Sequence, residues 1–215
     1  MARDKQIYQL YLDLYRKHGD PARFWPQWCS RNKSLTWREV VAIGAILTQR
    51  TSWHNADLAL RNLRKHGLLS LSAIAGLRNL NRLTEVVRPA GFFRTKPRRL
   101  FELASFIVDN YGDLETFARE DLKAGREKLL GLYGIGLETA DTILLYALDK
   151  PTFVIDEYTK RLVIKKRLSE KFDYDHLQSV FENSLPREVR VYQNFHTLII
   201  VDQKGEEASM MEMVE

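Results

Sequence analysis

A single cysteine, Cys29, in 215 residues excludes an internal disulfide and any four-cysteine zinc or iron–sulfur site built within one chain. That scarcity fits a reducing, intracellular setting, and a buried structural thiol is the expected role of Cys29. Long hydrophobic runs are also missing. The longest, Val40 to Leu47, falls far short of the roughly 20 residues that cross a bilayer. The opening MARDKQIYQ has no apolar stretch of the secretory kind, so an intracellular chain without a membrane partner is expected. The five histidines show no H-x-x-x-H or similar spacing, which argues against a zinc site. Internal repeats and low-complexity segments are absent as well.

What is present is ordinary for a globular protein: 45% hydrophobic and 28% charged residues. The length suits one large domain or two smaller lobes. A formal charge of +5 permits a polyanionic partner, because clustered Lys and Arg release counterions from phosphates. Many basic proteins have no such partner, so charge alone does not decide it.

The periodicity is helical throughout. Ile7, Leu10, Tyr11 and Leu14 form one apolar stripe, and Gly19 supplies the stop. The segment 20–34, with two prolines and three aromatics, reads as a packed loop. Thr36 and Glu39 have capping-box spacing ahead of a buried helix that ends near Gln49. Further helices are expected from His54 to His66, after Ser70, and from Thr95 to Tyr111, with 81–96 as a transition. Residues 113–131 read as one or two short helices. Ala140, Ile143, Leu144, Ala147 and Leu148 mark a packed helix face. Asp156 stands at an N-cap before 157–167, and two more helices are expected at about 175–185 and 187–199. Thr197 to Val201 is β-branched but has no partner strand elsewhere, and the polar tail from Gln203 is expected to fray. The fold class is all-α, with about ten helices.

Two features could carry chemistry. Leu132-Tyr133-Gly134-Ile135-Gly136 is a glycine hairpin whose exposed amides, beside a helix start, suit a phosphate; a plain helix-helix turn is the alternative. Downstream stands the lone carboxylate Asp156, which is either a helix cap or a reacting group.

The full pattern decides between these readings. Leu132, Gly134, Gly136, Thr139 and Ala140, then Val154, Asp156, Arg161 and Leu162, resemble the helix-hairpin-helix (HhH-GPD) DNA glycosylase superfamily, which includes endonuclease III and the alkylated-base glycosylases. The resemblance extends upstream to Leu47-Thr48-Gln49 and to Gly91 through Lys96, and covers residues 36 to 168 well. It implies two helical lobes, one a bundle at 34–146 ending in the hairpin motif and the other joining 1–33 to 147–215, with a DNA-binding cleft between them. The target nucleotide is rotated out of the duplex because no side chain reaches the glycosidic carbon inside the stack. The implied partner is double-stranded DNA, the implied state a monomer, and the implied location cytoplasmic and nucleoid-associated if the source is prokaryotic.

Under this resemblance Asp156 is the catalytic aspartate, stabilising positive charge on the sugar or orienting water. Gly134 and Gly136 grip the strand. Gln49 and Phe92 match residues that fill the gap or wedge the stack, although Phe92 could equally be core, and Arg94 and Lys96 follow phosphates. Arg88, Arg98 and Arg99 belong to the same basic stretch. Phe24, Trp25, Pro26 and Trp53 resemble the aromatic pocket of the cluster-free 3-methyladenine glycosylases, where a cationic base gains a cation–π term of about 0.5 to 2 kcal/mol; core packing is their other reading. His196 lies near the pocket-forming region.

Two departures are informative. Strand-nicking relatives carry a lysine immediately before Thr-Ala, where this chain has Glu138, and a carboxylate cannot form a Schiff base. Base release without lyase activity is therefore expected. In place of a four-cysteine cluster loop the chain has QKGEEASMMEMVE, so no iron–sulfur cluster and no other required cofactor is expected; the resemblance does imply a monovalent cation at the hairpin. A glycosylase for an oxidised or mismatched base, an inactive hairpin DNA-binding module and an all-α interaction protein are the alternatives.

Overall fold

The computed structural model describes residues 2–30 and 33–205. Thirteen α-helices run through them in chain order: α1 (Ala2–His18), α2 (Pro26–Cys29), α3 (Leu35–Leu47), α4 (Trp53–Lys65), α5 (Leu71–Ala75), α6 (Asn81–Val86), α7 (Lys96–Tyr111), α8 (Leu114–Phe117), α9 (Leu122–Leu130), α10 (Leu137–Thr142), α11 (Glu157–Lys166), α12 (Tyr174–Ser184) and α13 (Val189–Lys204). No strand occurs among the described residues. The fold is all-α.

Short polar side chains start most of these helices. Ser34, Ser52, Ser70, Asp113, Asp121, Asp156 and Asp173 each accept a hydrogen bond from an amide of the turn they open, satisfying donors that the helix leaves unpaired. Gly19, Gly67 and Gly112 end α1, α4 and α7 at φ of 76, 67 and 79°, a region open to glycine without strain.

Several local expectations change. The cap of α3 is Ser34, whose Oγ accepts from Trp37 N, and not Thr36. Glu39 is thereby released from a capping box, and its carboxylate takes Leu71 N instead. The segment 20–34 is not all loop: Asp20 caps a 3₁₀ turn over Pro21–Arg23, and α2 follows it. The prolines that hide periodicity there stand at the first positions of these helical turns, where a missing N–H costs nothing. In the transition at 81–96, α6 precedes a 3₁₀ turn over Arg88–Ala90. Thr95 precedes α7 without capping it, its hydroxyl going to Phe92 O. The β-branched run Thr197–Val201 lies inside α13, where burial of the whole stretch overrides local propensity. The tail beyond Gly205 lies outside the described residues.

The chain divides into two compact units. One holds the described residues up to Ser30 with those from Asp149 onward. Its central element is α13, buried from Tyr192 to Val201 and packed by α1, α2 and α11. Phe153 stacks on Phe181 with centroids 4.6 Å apart, and Tyr192 and Phe195 close around the pair.

The other unit runs from Lys33 to Leu148 and is built around α3, buried from Val40 to Leu47. Against α3 lies a π-helical turn over Ile143–Ala147 that continues α10. There Leu148 N reaches back five residues to Ile143 O, at 3.1 Å, and Arg38 donates to Ala147 O at 2.5 Å.

Candidate functional site

The glycine hairpin joins α9 to α10. Leu132 N donates to Leu129 O and Ile135 N to Leu132 O, at 3.1 and 3.2 Å, and Ile135 is buried, so the turn is pinned by an apolar side chain. Gly134 has φ of 76°, and a Cβ there would overlap the Nε, Cδ and Cγ of Arg99. Both backbone angle and space therefore require glycine. Gly136 precedes α10 without a side-chain cap.

A polar network holds this turn. Gln49 donates through Nε2 to Gly134 O at 3.1 Å and to Thr139 Oγ1 at 2.9 Å. Its Oε1 accepts from Arg99 at 2.5 Å. Gln49, expected to fill a gap in DNA, here braces the hairpin through its amide nitrogen and ties it to Arg99 of α7 through its amide oxygen. Behind the turn, Arg126 of α9 grips the fully buried Asp141 of α10 through two bonds, Nε to Oδ1 at 2.8 Å and an Nη to Oδ2 at 3.0 Å. Neither residue stood out in the sequence, where a lone arginine and a lone aspartate fifteen positions apart carry no periodic signal. Arg98, 3.9 Å over the half-exposed ring of Tyr133, adds a cationic platform beside the hairpin.

The same unit carries the loop before α7. Gly91 has φ of 73° and Phe92 of 45°. Phe92 O is held by Thr95 N, Lys96 N and the Thr95 hydroxyl, which sustains the unfavourable angle. The Phe92 ring is 53% exposed, so its core reading is set aside. Phe93 is also exposed, under Arg88, and Arg94 is exposed.

Lys96 corrects an expectation. It does not follow phosphates: its side chain is fully buried, and Nζ donates to Leu47 O at 2.7 Å and Ala90 O at 2.6 Å. It ties the C-terminal end of α3, where the helix dipole favours a cation, to the loop bearing Phe92. Burial, with the nearby Arg99 charge, pushes its pKa down to about 8. A lysine whose folded pKa lies below its unfolded value of 10.5 weighs against folding while protonated, and that weight is lifted as pH rises from about 8 to 10.5. Denaturant unfolding of the parent is therefore expected to show a stability increment across that window, which Lys96→Met lacks; parallel curves would contradict the assignment.

In the unit formed by the chain ends, Asp156 caps α11, its Oδ1 accepting from Thr159 N at 2.7 Å. Its Oδ2 lies 3.4 Å from His196 Nε2, and the carboxylate is 13% exposed. Burial alone would raise its pKa, but His196 and the Thr159 amide and hydroxyl outweigh burial and hold it below the usual carboxylate value. The group stays ionised inside the fold, and both roles, helix cap and available charge, fall on one residue.

Phe24, Trp25 and Pro26 lie in this unit too, in the link into α2. Phe24 is fully buried and Trp25 is 6% exposed, its ring edge-on to Trp28 at 5.9 Å. Phe24 is thus core rather than an open ring face. Trp53, half-buried, is the first residue of α4 in the other unit. Glu138 is exposed in the first turn of α10, where the helix dipole favours a carboxylate. Among the described residues no group of three or more His, Cys, Asp or Glu could hold a metal ion, and no helix is long and apolar enough to cross a membrane.

A hairpin between short helices, braced from behind, and an ionised aspartate capping a later helix define the helix-hairpin-helix class. The chain belongs to the HhH-GPD superfamily of base excision DNA repair proteins, whose family model matches residues 43–187. It is 40% identical over 198 residues to a protein of Methanocaldococcus jannaschii provisionally named a DNA repair glycosylase, covering 91% of this chain and 84% of the relative. Among solved structures, 3-methyladenine DNA glycosylase (MagIII) of H. pylori bound to 1,N6-ethenoadenine superposes with a TM-score of 0.76 at 30% identity, covering 98% of this chain and 99% of that one. A trapped endonuclease III–DNA covalent intermediate superposes with a TM-score of 0.72 at 17% identity, over 92% of this chain and 84% of that one, and attests the fold alone.

Proposed function

We propose that the protein is a monofunctional DNA glycosylase that hydrolyses the N-glycosidic bond of an alkylated purine, such as 3-methyladenine, flipped out of duplex DNA. The observation that carries this reading is Asp156, a carboxylate kept ionised inside the fold with one oxygen tied to α11 and partial access to solvent. As the bond from the sugar C1′ to the base nitrogen breaks, its electron pair leaves with the base and neutralises the alkylated ring. Positive charge develops on the sugar, the carboxylate stabilises it, and a water adds its oxygen to C1′ and gives up a proton. An alkylated purine already carries the charge that makes it a good leaving group, so little acid catalysis is needed.

The amides around Gly134 and Gly136 grip the strand, Phe92 wedges the stack, and Arg94 meets phosphate. Trp25 and Pro26, in the unit that holds Asp156, are the side chains proposed to meet the base, since electron-rich rings favour a cationic purine. The resemblance to H. pylori 3-methyladenine DNA glycosylase over nearly the whole chain supports this choice. A monovalent cation at the hairpin fits the residues present: Leu132 O and Gly134 O each accept one hydrogen bond, and a carbonyl oxygen has a second lone pair. When bound, it would offset phosphate charge. Glu138 offers no amine, which supports hydrolysis without strand cleavage.

The test is a substrate panel: duplexes carrying methylated purines, an oxidised purine or a mismatch, with free base measured by chromatography. Release confined to methylated duplexes is expected. Release only from the oxidised or mismatched duplex would reassign the lesion, and tight binding without release from any would reduce the protein to a binding module.

A further inference from the structure

His196 is buried in the middle of α13. Its Nε2 lies 3.4 Å from the oxygen of Asp156 that α11 does not hold. We propose that His196 is a positioning residue for the reaction: closing from 3.4 Å onto Oδ2 as substrate binds, its Nε2 fixes the plane of the Asp156 carboxylate. The proposal rests on the reading of Asp156 as the group that faces the sugar.

The geometry supplies the reason. A carboxylate held by one oxygen alone can still swing about its Cβ–Cγ bond. Oδ1 is fixed by Thr159 N at 2.7 Å, and Oδ2 is approached by His196 at 3.4 Å. The second contact is long for a hydrogen bond, as catalytic contacts often are before substrate binds. The ring of Phe153 stands edge-on to the imidazole, with centroids 6.3 Å apart. The titratable groups on neighbouring elements are directed elsewhere. Lys17 and His18 of α1 go to Asp202, Arg190 goes to Asp20, and Cys29 of α2 meets Thr197.

Single-turnover base release from a methylated duplex tests this for the parent, Asp156→Asn, His196→Gln and His196→Leu. His196→Leu is expected to slow release about 10- to 100-fold, as loss of an orienting partner typically does, with DNA affinity unchanged. His196→Gln, which keeps an N–H donor, should retain most of the rate. An unchanged rate in His196→Leu, or a rate in His196→Gln as low as that of His196→Leu while both variants keep the parental circular dichroism spectrum, would overturn the proposal. A parent without release, or an active Asp156→Asn, would instead remove the reading beneath it.

Discussion

Asp156→Asn is expected to release alkylated base about 10²- to 10³-fold more slowly than the parent while binding duplex DNA equally well, the scale of effect when a preorganised electrostatic group at a reacting centre is removed. The substitution separates two roles of one residue. Asparagine caps helices about as well as aspartate, so the bond from Thr159 N to the side-chain oxygen survives and α11 keeps its start. What disappears is the charge, held in place against the cost of burial by His196 and Thr159. Single-turnover base release, beside a binding isotherm and a circular dichroism spectrum, checks the outcome. Parental rates in the variant would mean that the carboxylate is only a cap.

The second large effect concerns stability. Arg126→Met is expected to destabilise the unit from Lys33 to Leu148 by about 3 to 5 kcal/mol, the usual penalty for removing one partner of a buried ion pair. Asp141 is fully buried, whereas Arg126 keeps 23% of its side chain in solvent, so the loss strands the partner that water cannot reach. The pair spans α9 and α10, and its rupture also releases the turn that presents Gly134. Denaturant unfolding would report the energy, and a weaker affinity for undamaged duplex would report the hairpin. Replacing both partners with apolar residues of similar volume should recover much of the stability; a fully stable single variant would contradict the brace.

How much of this could be read in the sequence follows from the range of each interaction. Helix starts set by a serine or aspartate beside an apolar pattern were legible, as at Ser70 and Asp156, because the cap and its amide lie three residues apart. Thr36 misled for the same reason: its spacing to Glu39 matches a cap, but Ser34 competes two positions earlier, and Glu39 is taken by Leu71 of a different helix. The family was legible because the hairpin and Asp156 fall within a short stretch of chain. Lys96 was misread since a lysine among arginines looks like surface, and only tertiary structure brings Leu47 O, 49 residues away, to its ammonium. Gln49, Arg99 and Gly134 likewise meet across separations of 50 and 85 residues. His196 carried no ligand spacing, and its meaning came from the 3.4 Å that separate it from Asp156.

The central claim is that Asp156 drives base removal while Glu138, in place of an amine, leaves the strand alone. It is tested most directly on an end-labelled duplex bearing one methylated purine, with borohydride added to half of each sample. Free base is expected to appear while the strand stays whole until alkali is added, with no enzyme–DNA adduct in the borohydride lanes. Strand breaks forming in step with base release, or a trapped adduct, would contradict it.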